Sequence, residues 1–235
     1  MKRFTRALAA IMLMAAVVFV AGCNKPEDEL TNSGGNGGGN DTHAYVDLGL
    51  PSGTLWATCN VGASKPEEYG DYFAWGETEP KTNYNWDNYK YSVGFGNGGA
   101  FCNTLTKYCT NSEYGYNGFA DNLTVLLPED DAATANWGSG WCMPTAEQWG
   151  ELRDNTNNVW TTKNGVNGRL FTASNGNCLF LPATDCNTGG YWSASLSTGA
   201  FPDHSMVFFF DSNEYDVGGD PRNAGLSVRG VCSVK

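Results

Sequence analysis

The chain has 235 residues and a formal net charge of −11 at pH 7, from 14 Lys and Arg against 25 Asp and Glu. So acidic a balance excludes a nucleic-acid partner, whose phosphates require a basic patch, and excludes electrostatic adhesion to an anionic bilayer. With aromatic residues at 13%, among them 8 Trp, the chain has enough apolar surface for one sizeable core.

Residues 1–22 read as a signal peptide. Lys2, Arg3 and Arg6 precede an apolar run from Ala7 to Val20, too short and too soon followed by polar residues to span a bilayer. Val20-Ala21-Gly22-Cys23 resembles a bacterial lipobox, which implies lipidation of Cys23 and a mature chain anchored to the membrane rather than crossing it. Loss of the signal removes three cations and no acid, so the mature chain is more acidic still. Residues 23–41 follow as a tether. From Asn24 they run NKPEDELTNSGGNGGGND, with Leu30 the one sizeable apolar residue, and cannot bury enough surface to offset the entropy of ordering. Random-coil scaling gives them a reach of roughly 25 Å. Lys25-Pro26-Glu27-Asp28-Glu29 resembles the acidic export signal of Bacteroidetes-type surface lipoproteins, implying an outer-membrane protein exposed on the cell surface.

Residues 42–235 carry no second linker and no fixed-period repeat, and read as one domain. Strand-like runs open it: AYVDLGL (44–50), TLWATCNVG (54–62) and DYFAWG (71–76). A loop-rich stretch follows, about residues 80–140. Within it Pro128-Glu129-Asp130-Asp131 places acids at the start of a short helix, where they also offer oxygens to a structural cation such as calcium. In GSGWCMPTAEQWGELRDNT (138–156), Thr145 and Gln148 have the spacing of a capping box, and Trp149 and Leu152 point inward together. This predicts a helix that ends by Asn155. RLFTAS and CLFLPAT, joined by Asn175-Gly176-Asn177, predict a hairpin. YWSAS (191–195), SMVFFFDS (205–212) and LSVRGVCSV (226–234) predict further strands, leaving Leu196–Asp203 and Asn213–Asn223 as loops.

Cys142-Met143-Pro144-Thr145-Ala146-Glu147-Gln148-Trp149 resembles a helix start of the Fibrobacter succinogenes major paralogous domain family. The resemblance continues in DLGLPSGTLWA (47–57), YGDYFAWGE (69–77), NGVNGR (164–169), Tyr191-Trp192-Ser193 and Ser227-Val228-Arg229. It implies an α+β fold of the C-type-lectin-like, sulfatase-modifying-factor-like kind, with short antiparallel sheets, one or two short helices and long loops on one face. Trp56, Trp75, Thr145, Gln148, Trp149, Trp192 and Arg229 are then framework residues. Cys142 stands where the family has Arg, which leaves that Arg's partners in question.

Catalysis finds little support. The oxidase branch of the formylglycine-generating relatives binds copper through Cys-x4-Cys, and no cysteine lies between Asn187 and Val231. There is no GxSxG, P-loop or HExxH. Asp203-His204-Ser205 has the residue types of a triad, but sequence neighbours point to different faces and cannot line up as a relay. Glu79-Pro80-Lys81 and Trp86-Asp87-Asn88 depart from lectin calcium trios, since Lys81 offers a cation where an oxygen is needed. The many acids permit a glycosidase-like carboxylate pair without indicating one. With Cys23 lipidated, seven cysteines remain. Cys102 and Cys109 would close a short loop, and Cys59 and Cys232 lie in first and last strands that the implied fold sets side by side. No cofactor is expected.

The expected function is a non-catalytic, lipid-anchored binding or adhesion module for an extracellular glycan or protein. Its expected contact face is the C-terminal loops: Phe201, Asp203, His204, Asn213, Glu214, Tyr215, Asp216 and Arg222. An enzyme acting on polysaccharide and a structural envelope subunit are the alternatives.

Overall fold

The computed structural model describes residues 43–96, 101–184 and 186–233. The signal peptide, Cys23 and the tether lie outside the described residues.

Three sheets form the frame. In the first, β2 (Thr54–Asn60) lies between β1 (Tyr45–Asp47) and β11 (Arg229–Ser233), both antiparallel to it. The second is five-stranded, in the order β3 (Tyr72–Phe73), β10 (Leu226–Ser227), β7 (Gly189–Leu196), β8 (His204–Phe210), β9 (Tyr215–Pro221). The third is the meander β4 (Thr156–Lys163), β5 (Val166–Ala173), β6 (Cys178–Pro182). Against them stand α1 (Ala132–Trp137) and α2 (Ala146–Asn155), of 6 and 10 residues. The fold is therefore β-rich, which corrects the α+β, C-type-lectin-like expectation. The reason is physical: polar strands such as TNNVWTTK carry too weak a hydrophobic alternation to be read locally, yet they pair along their whole length.

The five-stranded sheet separates two aromatic cores, because successive side chains of β7 and β8 point to opposite faces. Tyr191, Phe208 and Phe210 enter one core with Trp56, Trp149, Phe171 and Leu181. Trp192 and Val207 enter the other with Phe73, Trp75, Tyr89, Tyr108 and Met143. Trp149 lies between Trp56, at 4.7 Å, and Phe208, stacked at 4.8 Å. Such pairs add about 0.5–1.5 kcal/mol beyond the area they bury. Trp56, Trp75, Trp149 and Trp192 are all 0% exposed. Three of the indole N–H groups donate to backbone carbonyls: Trp75 to Ser193, Trp149 to Trp192 and Trp192 to Phe73.

At α2, Thr145 Oγ1 accepts from Gln148 N and Gln148 Oε1 accepts from Thr145 N, at 3.3 and 2.8 Å. Gln148 Nε2 also donates to Thr54 Oγ1, so the cap ties the helix to β2. Buried Arg229 donates to Asn60 Oδ1, to the carbonyls of Ala57 and Thr58 on β2, and to Phe180 O on β6. One guanidinium thus joins the first sheet to the third.

The expected disulfides do not form. Cys232 pairs in register with Leu55, four positions along β2 from Cys59. At about 3.3 Å per residue that offset is far beyond the ~7 Å Cα separation a disulfide tolerates. Cys102 and Cys109 are buried thiols turned to separate carbonyls, those of Gly94 and Asn111.

Candidate functional site

A groove of about 580 Å³ opens on the face of the five-stranded sheet where the Trp192 core ends. Its wall begins with β7 and β8. Phe208 and Phe210 are committed to the core on the other face, so Phe209 between them must point out, and it is 38% exposed. Two glycines make room for its ring. Gly190 faces Phe209 across the strand pair and carries no side chain to cover it. On β9, a Cβ at Gly218 would stand 2.9 Å from Phe209 Cε1, so only glycine lets the ring lean over that strand. Val207 and Leu226 complete the apolar lining, and Thr184, Cys186 and Thr188 edge it.

Among the described residues, the charged groups lining the groove are the acids Asp211, Glu214 and Asp220. Asp211 Oδ1 accepts from the backbone N–H groups of Glu214 and Asn213, which lowers the carboxyl pKa. Asp220 is held by β9 opposite Ser205, and its carboxylate makes no hydrogen bond or ion pair among the described residues. Burial raises its pKa, and His204 nearby opposes that rise.

The sequence-predicted residues scatter around this groove. Glu214 lines it. Asn213 is exposed in the turn before β9. His204 lies beyond the groove's end, its ring close to Gly219. Its Nδ1 is 2.8 Å from Asp203 Oδ1, while Asp203 Oδ2 accepts from Cys102 N. Asp203 precedes β8, outside the strand's alternation, and so can turn to its neighbour, contrary to the expectation that the two face apart. Ser205 does face inward, its hydroxyl buried without a partner among the described residues, so no three-residue relay forms. Phe201 is 49% exposed and packs on His204 and Phe101.

Three others hold the frame rather than a ligand. Arg222 is wholly buried and donates to the carbonyls of Lys107, Tyr108 and Pro202, which corrects its assignment to the contact face. Asp216 pairs with Arg153 of α2. Tyr215 lies under the Arg169 guanidinium at 4.5 Å. The expected loop Asn213–Asn223 is mostly β9. Asp211 was among the acids that permitted a carboxylate pair, whereas sequence reasoning missed Phe209 and Asp220, although three consecutive phenylalanines in a strand already require one to face away from the other two.

The acids at 129–131 do not form a cation site. Asp130 accepts from Lys90, Lys107, Tyr91 and Tyr108, and Asp131 accepts from Thr134 N and Met143 N. Their oxygens are already taken by donors. Among the described residues no group of three or more His, Cys, Asp or Glu is placed to hold a metal ion.

Comparison with family models, curated proteins and solved structures returns no match for this chain.

Proposed function

We infer that the protein is a lipid-anchored, surface-displayed binding module that holds a glycan in this groove without reacting with it. Phe209 carries the reading. It is an aromatic ring held on paired strands, with glycines where side chains would cover it and the groove open beside it. Rings so placed stack on the apolar face of a sugar, and a preformed site avoids the entropy of ordering a loop. The volume falls within the range of small-ligand sites. A glycan array with the full chain tests it: binding to a defined oligosaccharide is expected, and Phe209→Ala should weaken that binding about tenfold or more.

One observation favours a second reading. Asp220 is pushed up by burial while backbone hydrogen bonds hold Asp211 down, and carboxyls driven apart in this way suit a general acid and base. Release of reducing ends from a bound glycan, abolished by Asp220→Asn, would establish hydrolysis in place of simple binding.

A further inference from the structure

We propose that the glycan held by this groove carries free amines, that is, an oligosaccharide of amino sugars with unacetylated nitrogen, and that Asp220 receives the ammonium.

The proposal rests on the groove being the glycan site and adds the charge of its occupant. Among the described residues that line the groove none is Lys, Arg or His, and the charged ones, Asp211, Glu214 and Asp220, are carboxylates. A neutral sugar would leave the half-buried Asp220 carboxylate without a donor. Asp220 is the most telling of the three. Asp216, four residues away on β9, is paired with Arg153, and Asp211 has backbone donors, but the Asp220 carboxylate has neither. A carboxylate half-buried beside apolar side chains is costly to ionise alone, and an ammonium arriving from the ligand removes that cost. Phe209 supports the same occupant, since its ring face attracts both the C–H face of a pyranose and a nearby cation. The groove's polar edge of Thr184 and Thr188 suits hydroxyl-bearing rings better than an aliphatic lysine stem.

The whole chain is acidic and attracts any polyamine weakly, so the test must be site-specific. Isothermal titration of the full chain compares a glucosamine tetramer with its fully N-acetylated counterpart, which keeps the ring faces and loses the charges. The free-amine tetramer is expected to bind at least about tenfold more tightly, the worth of one charge-assisted hydrogen bond. Asp220→Asn should abolish that preference. Asp87→Asn, at an exposed acid outside the groove, should leave it intact. Phe209→Ala should weaken both ligands. Equal binding of the two tetramers, or a preference that survives Asp220→Asn, overturns the proposal. So does a lysine oligopeptide that outcompetes the amino sugar. If neither tetramer binds while neutral glycans do so through Phe209, the amine proposal fails and the binding function stands. If no glycan binds at all, both fail.

Discussion

Asp130 shows how much one buried carboxylate can organise. It is 1% exposed, and burial alone would raise its pKa. Hydrogen bonds from Lys107, Tyr91, Tyr108 and Lys90 outweigh that and hold it at about 2, against an ordinary 3.8. A carboxyl whose folded pKa is depressed contributes stability that is present above its unfolded pKa and lost as pH falls through the folded one. Thermal melts should therefore show about 2 kcal/mol lost between roughly pH 4 and pH 2, and Asp130→Asn should remove that dependence. Arg229 makes the converse case, a buried cation neutralised by carbonyl oxygens and Asn60. Arg229→Lys keeps the charge but cannot reach all four acceptors. Urea denaturation should register a loss of about 2–3 kcal/mol, the cost of stranding one or two buried acceptors.

At the level of elements, Thr145→Ala should cost about 1 kcal/mol, read from the urea midpoint, because it removes the cap from the first turn of α2. That helix was legible because its signals are local: a cap, a box partner three residues on, and two apolar residues sharing a face. The β5–β6 hairpin was legible for the same reason, through Asn175-Gly176-Asn177. Strand β9 was not. Gly218 and Gly219 depress strand propensity, and its pairing partner β8 supplies what its own sequence lacks. Of the groove, Glu214 came from reading the loops, but Phe209 and Asp220 come to line one groove only through the register of β8 and β9. No local pattern encodes that register. Arg222 was misread because a charged residue between Asp, Pro and Asn resembles a surface loop, and its carbonyl partners at 107 and 108 are remote in sequence.

For the whole molecule, burial makes Cys102 and Cys109 reporters of unfolding. Both thiols are raised in pKa by burial and packed around Leu105, so neither is readily alkylated in the folded state. Native labelling with iodoacetamide should leave them unmodified and modify exposed Cys186 first, with Cys142 slower because burial of its thiol pushes its pKa up to about 11. In urea both should become reactive together with the loss of tryptophan burial; labelling of either well before that transition would mean that the loop-rich segment opens independently. Peptide mapping without reductant should find no Cys59–Cys232 link. The pairing of β2 with β11 also sets an order of events. Val231 meets Trp56 across some three-quarters of the chain, and Arg229 fastens two sheets only once that strand has docked. A polypeptide without β11 lacks the latch that shuts the aromatic interior. Those two contacts make β11 a late fastening of the fold, and a copy cut before Arg229 is expected to stay pliable and open to proteolysis.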